Sequence, residues 1–125
     1  MEEWASLFRL LGNPDRLCIF YLLVYHRDWL CVCEIVDATG LAQYQVSKHL
    51  RLLRQAGLIE GKREGRWTHY HACTGERAKR LQVFLLKEIP ADALITELVR
   101  LRRRLALRHK GRCVAGSKGG TDGLG

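Results

Sequence analysis

Thr39-Gly40 does most to limit what this chain can fold into. It closes one short helical pattern, Cys33 to Ala38, with the glycine free to take the left-handed backbone that ends a helix. A second pattern begins near Ala42 and continues through Leu53 to Gln55, with Val46, Leu50 and Leu53 as its inward stripe and Gly57 as its terminator. Leu58-Ile59-Glu60, a turn region from Gly61 to Gly65, and Arg66-Trp67-Thr68-His69-Tyr70-His71 then read as a two-stranded hairpin.

Helical patterns flank this unit. Trp4, Leu7, Phe8 and Leu11 fall at i, i+3, i+4 and i+7, one apolar face that ends before Gly12-Asn13-Pro14. Pro14 and Asp15 suit the first turn of the next helix, where a missing N–H is harmless and a carboxylate meets the positive end of the dipole. That helix runs through Leu17, Ile19, Phe20, Leu22 and Leu23 to about Tyr25, and His26 to Trp29 form a connection. Beyond the hairpin, Leu81 to Leu86 reads as helix before Pro90. A last helix starts near Ala91-Asp92 and sets Leu94, Leu98, Leu101 and Leu105 alternately four and three apart, a seam suited to packing against another helix. Residues 1–110 are expected to form one domain and 111–125 a flexible, glycine-rich tail.

The chain's 125 residues allow a modest core that association with a second copy would complete. Its net charge of +8 points to a polyanionic partner, nucleic acid first. No apolar run approaches the ~18 residues needed to span a bilayer, and the start lacks the basic and apolar stretches of a secretion leader, so the expected compartment is the cytoplasm, with no membrane partner. Neither a glycine-rich phosphate loop nor a hydrolase elbow is present, and no enzyme is expected.

Two short helices joined by a glycine-containing turn, then a basic hairpin, is the order of a winged helix-turn-helix: an α+β fold, mostly α. The second helix of such a pair lies in the major groove. Its outward face is expected to be Gln43, Tyr44, Gln45, Ser47, Lys48, His49 and Arg51. Glutamine can bond adenine bidentately, lysine can donate to guanine, and Ser47 can reach base or phosphate. Lys62, Arg63 and Arg66, expected at the hairpin tip, would neutralise backbone phosphates without sequence choice.

Five cysteines in a reducing compartment favour metal or redox chemistry over a disulfide framework. Cys31 and Cys33, spaced by one residue, stand immediately before the helix pair. Residues i and i+2 diverge in a regular helix and share a side in an extended segment. One thiophilic ion held by both therefore favours an extended or unwound backbone there; were Cys31 to Cys33 the first turn of the helix, binding would distort it and tilt the groove helix. The positive helix end also favours thiolates there.

Leu11-Gly12-Asn13-Pro14-Asp15-Arg16, Leu30-Cys31-Val32-Cys33-Glu34, the run from Val46 to Leu58 (VSKHLRLLRQAGL) and the hairpin Lys62-Arg63-Glu64-Gly65-Arg66-Trp67-Thr68-His69-Tyr70 together resemble the ArsR/SmtB family of metalloregulatory repressors. The resemblance covers roughly residues 4 to 100. It implies a homodimer whose N- and C-terminal helices form the interface, which binds operator double-stranded DNA and leaves it when a metal or metalloid binds. Cys-Val-Cys followed by an acidic residue is similar to the arsenite and antimonite sensors, arsenic-sensor (ArsR) type, and overlaps with cadmium and lead sensors. As(III) or Sb(III) is thus the implied inducer, with no permanent cofactor. The arsenic-type motif often carries a further cysteine where this chain has Val36. Cys113 is the candidate third ligand beside Cys31 and Cys33; Cys18, Cys73 or solvent are the alternatives. A thiol-redox or sulfide sensor, and a non-specific basic DNA-binding module, remain the competing readings. The zinc-binding pairs of the last helix look absent, since only Asp92 and Glu97 are in place. His69 and His71 share a strand face and read as hairpin surface.

Overall fold

The computed structural model describes residues 1–108; Cys113 and the expected tail lie outside the described residues. The elements are α1 (Glu2–Leu11), α2 (Pro14–His26), β1 (Leu30–Cys31), α3 (Val32–Thr39), α4 (Gln43–Gln55), β2 (Ile59–Glu64), β3 (Trp67–Ala72), α5 (Glu76–Glu88), a 3-10 turn (Ala91–Leu94) and α6 (Ile95–Leu105). The three strands form one antiparallel sheet in the order β1-β3-β2. Helix-turn-helix and wing thus stand where the sequence puts them. No helix among the described residues is long and apolar enough to cross a membrane.

The Asn13-Pro14 junction sets the first corner. Asn13 Oδ1 accepts the Arg16 N–H at 3.0 Å, a side-chain cap, and Pro14 occupies the first helical turn. The α2 helix is apolar almost all round, as a central helix must be: Ile19, Phe20, Leu22 and Leu23 are buried. Leu30, Ile35, Val36, Val46, Leu50 and Leu53 join them in one core that α3 and α4 share. Tyr21 donates its hydroxyl to the Ile89 carbonyl at 3.0 Å, tying α2 to the end of α5.

Thr39-Gly40 builds the tight turn as expected. Thr39 Oγ1 donates to Ile35 O at 2.8 Å and accepts the Leu41 N–H at 3.3 Å, while Gly40, at φ +77°, sends its N–H to Val36 O. A side chain at Gly40 would strain that left-handed backbone.

Three expectations need correction. The hairpin has no five-residue turn: β2 runs to Glu64, Glu64 pairs with Trp67, and only Gly65-Arg66 joins the strands, with Gly65 at φ +63°. Lys62 and Arg63 therefore lie within β2 and not at the tip. Nor is the sheet two-stranded: β1, which follows the connection after α2, adds a third strand, pairing Leu30 with Tyr70 and Cys31 with His69. Finally, the last α-helix begins at Ile95, with Leu94 in the 3-10 turn before it, and its seam packs as expected against another helix. Leu101 is buried, and Leu98 and Leu105 pack on the shared core, with α6 lying along α3. The α1 face does stay open, with Trp4 and Phe8 exposed, and on α5 Val83 and Phe84 are exposed as well. Arg77 of α5 stacks over Trp4 and pairs with Glu3, so these two exposed faces adjoin.

Candidate functional site

The thiol pair sits at a junction of sheet and helix. Cys31 is the last residue of β1 and also the N-cap of α3, with extended backbone at φ −88°, ψ 163°. Cys33 lies in the first turn of α3. Cys31 stands outside the helix in extended backbone, the conformation in which thiols two residues apart share a side, so the helix start need not unwind to bring them together. The two Sγ atoms are 2.9 Å apart, both residues are buried, and Trp67 of β3 packs over them.

Charges from α3, from α6 and from just beyond the end of α6 surround this pair. Arg104, 3% exposed, donates from Nη2 to Cys33 Sγ at 3.3 Å and pairs through Nε with Asp37 at 2.8 Å. Glu34 is wholly buried. Its carboxylate accepts the Cys31 N–H at 3.0 Å and takes Arg108 in a fork, Nε to Oε2 at 2.6 Å and Nη2 to Oε1 at 2.7 Å. Arg108 also donates to the Trp29 carbonyl, and its bonding to Glu34 raises its pKa above the ordinary guanidinium value. The sulfurs thus share one polar network with the last helix, through which a change at the thiols can reach α6.

Glu34, Asp37, Arg104 and Arg108 are functional candidates that sequence reasoning missed. A signal exists: Leu101 and Arg104 fall at i and i+3 on the buried face of α6, and Arg108 follows three residues beyond the end of that helix.

The other cysteines are not brought to the pair. Cys18 packs on the main core, and burial, with Glu97 and Asp15 nearby, pushes its thiol up to about 11. Cys73 is half-buried, and burial raises it too. Cys113 lies outside the described residues. Among the described residues, no group of three or more His, Cys, Asp or Glu side chains is placed to hold a metal. His71 is engaged with Glu60 at 3.3 Å and with the Trp29 ring.

On α4 the exposed residues are Tyr44 (75%), Ser47, Lys48, Arg51, Arg54 and Gln55. Tyr44, Ser47, Lys48 and Arg51 fall at i, i+3, i+4 and i+7, a single stripe that Arg54 and Gln55 continue to the end of the helix. Gln43 is half-buried. Gln45 is half-buried too, and its Oε1 accepts the Ala42 N–H at 3.0 Å, so it caps its own helix.

His49 is corrected outright: it is 7% exposed and faces inward. Its Nδ1 lies 3.3 Å from Arg16 Nη1, and Arg16 Nε donates to Leu10 O at 2.6 Å, linking α1, α2 and α4. Arginine can only donate, so Nδ1 accepts and the imidazole is neutral. Burial, then Arg16, lowers the His49 pKa. The unfolded chain, with imidazoles near ~6.5, binds more protons than the fold below that pH. Stability is therefore full above the unfolded value and is lost as pH falls through the folded one. His26, lowered by burial and Arg108, adds in the same sense. The expected outcome is a melting temperature that drops from pH 7 to pH 5, with a shallower drop in His49→Gln. An identical drop in that variant would remove His49 from the account.

In the wing, Arg63 Nε donates to Gly65 O at 3.1 Å and the Arg66 guanidinium stacks over Trp67 at 4.9 Å. Lys62 lies across from His69, which pairs with Cys31 on its other side, and its Nζ is 5.0 Å from the Trp29 ring centroid. Lys62 and Arg63 thus point to opposite faces of the ribbon. All three remain exposed.

The model of the arsR family of bacterial regulatory proteins matches residues 13–61, from the Asn13 cap through α4 into β2. An uncharacterized HTH-type transcriptional regulator of Methanocaldococcus jannaschii is 37% identical over 70 residues, 56% of this chain and 78% of the relative. The arsenical resistance operon repressor of Escherichia coli is 41% identical over 65 residues, 52% of this chain; the match spans 55% of that relative's length. Among solved structures, the homodimeric winged helix-turn-helix DNA-binding domain of a possible ArsR-family transcriptional regulator from Mycobacterium bovis aligns with a TM-score of 0.59 at 31% identity, covering 75% of this chain and 82% of that one. These relatives are DNA-binding transcriptional regulators and not enzymes. The matched segment spans the helix pair and stops at the start of the wing, and the chain belongs to the ArsR/SmtB family of metalloregulatory transcriptional repressors.

Proposed function

We propose that this chain is a thiol-operated repressor that binds operator DNA as a homodimer and is released when As(III), or Sb(III), binds Cys31 and Cys33. The observation that carries this reading is the buried convergence of the two sulfurs at the head of the helix pair, 2.9 Å apart. Thiolate-only donors select thiophilic species. Two thiols condense with As(OH)3 to form two S–As bonds and release two waters. Cys113 supplies the third sulfur, its thiol displacing the last hydroxide as water. It follows Arg108 by five residues, roughly 17 Å of extended chain, and Arg108 is bonded to Glu34 beside the pair. Similarity to an arsenical resistance repressor supports the choice of metalloid. Similarity to a homodimeric domain, together with the open faces of α1 and α5, supports the dimer.

In the DNA-bound state Tyr44, Ser47, Lys48 and Arg51 read or brace the major groove, with Gln43 at its edge. Lys62, Arg63 and Arg66 contact phosphates in the wing. A ligand on Cys33 Sγ competes with the Arg104 hydrogen bond, so ligation disturbs both the start of α3 and its attachment to α6. By linkage, an inducer that expels the protein binds the DNA-bound form more weakly, and couplings of about 1–3 kcal/mol weaken DNA affinity roughly 5- to 150-fold.

The test titrates As(OH)3, Cd(II), Pb(II) and polysulfide separately into the protein bound to a fluorescent duplex taken from upstream of its own coding sequence. Release by As(OH)3 that disappears in Cys31→Ser/Cys33→Ser, with binding to the duplex retained, is the expected result. Release by Cd(II), Pb(II) or polysulfide alone would assign the pair to soft divalent ions or to thiol oxidation. Equal affinity for a random duplex would leave only a non-specific module.

A further inference from the structure

Where α6 crosses the helix-turn-helix, a cleft of about 360 Å³ opens beside Gly40, with Arg100, Arg103, Arg104 and Asp37 in its walls. Its charges are not balanced. Arg104 takes Asp37 at 2.8 Å, whereas Arg100 and Arg103 are exposed and make no ion pair among the described residues. Arg100 Nη1 reaches within 3.6 Å of where a β-carbon on Gly40 would lie. Gly40 belongs to the turn that leads into α4, whose first residue is Gln43. A recognition helix enters the major groove by its N-terminal end, so the turn before it comes down at the groove edge, where phosphates are nearest. Guanidinium groups there meet phosphate oxygens with two parallel donors each.

We propose that Arg100 and Arg103 form an additional phosphate-binding surface, so that α6 grips the same duplex as α4 and the wing. This rests on the assignment of α4 as the groove helix. It gives these arginines two separate tasks: Arg104 of α6 and Arg108 just beyond it hold the thiol-bearing helix, and Arg100 and Arg103 hold DNA backbone.

Phosphate contacts are sequence-independent and leave a signature in salt dependence, so a random-sequence duplex is a sufficient probe. Anisotropy titrations at about 50 to 200 mM KCl would compare wild type with Arg100→Gln/Arg103→Gln, with Arg102→Gln, and with Lys48→Gln. Arg102 is exposed on the same helix and does not line the cleft, so it controls for bulk charge. The double variant is expected to keep its melting temperature and to flatten the slope of log K against log salt by roughly 0.9 per lost contact. Arg102→Gln should leave the slope near wild type. A wild-type slope in the double variant, or equal flattening in Arg102→Gln, overturns the proposal and leaves the groove helix untouched. A Lys48→Gln variant that binds like wild type removes the α4 assignment, and this surface with it.

Discussion

Glu34→Ala is expected to destabilise the fold by about 3–5 kcal/mol, the range for removing one member of a buried ion pair. Glu34 has no solvent exposure, accepts two hydrogen bonds from Arg108, and takes the N–H of Cys31. Alanine strands all three donors, two of them on one charged guanidinium half-enclosed by protein. The loss is large against the roughly 5–15 kcal/mol that holds a domain folded. Urea unfolding should therefore show a sharply lower midpoint. Glu34→Leu combined with Arg108→Met removes the charge and its partner together and is expected to recover most of that stability. A Glu34→Ala variant within about 0.5 kcal/mol of wild type, the usual range for surface changes, would show that the network contributes no stability.

Leu50→Ala should cost about 2–5 kcal/mol by leaving a cavity under α4. Leu50 is fully buried among Leu53, Val46 and the residues of α2 and α3. The comparison that matters is with Lys48→Ala, two residues away and exposed. It should leave unfolding within about 0.5 kcal/mol of wild type while weakening duplex binding. Leu50→Ala should do the reverse below its melting temperature, keeping affinity per folded molecule. If both variants lost stability equally, α4 would have no distinct outer face.

The order of elements was legible because it depends on local punctuation. Asn13-Pro14, Thr39-Gly40 and Gly65 each act on the backbone where they stand. What escaped depends on partners distant in sequence. The β1 strand has two residues and no periodicity, and it exists because β3 offers Tyr70 and His69 to pair with. His49 stands three residues after Val46 and four before Leu53, on the inward stripe, and only its polarity suggested an outward place. Arg16 makes that burial tolerable from another helix. Arg104 and Arg108 look like their exposed neighbours until Asp37 and Glu34 are brought beneath them. At the candidate site, then, the thiols could be read from spacing, but their convergence and the cations beside them could not.

Cys31 ends a strand of the wing sheet and begins the helix that leads to α4. One residue therefore joins the sheet that carries the proposed wing contacts to the helix that leads to the proposed groove helix, and no linker lies between sheet and helix to absorb a local change. Backbone movement at Cys31 alters the seating of β3 and the entry of α3 together. Groove contacts and wing contacts would then be surrendered in the same event, and the DNA complex would have no half-released form in which one contact persists without the other.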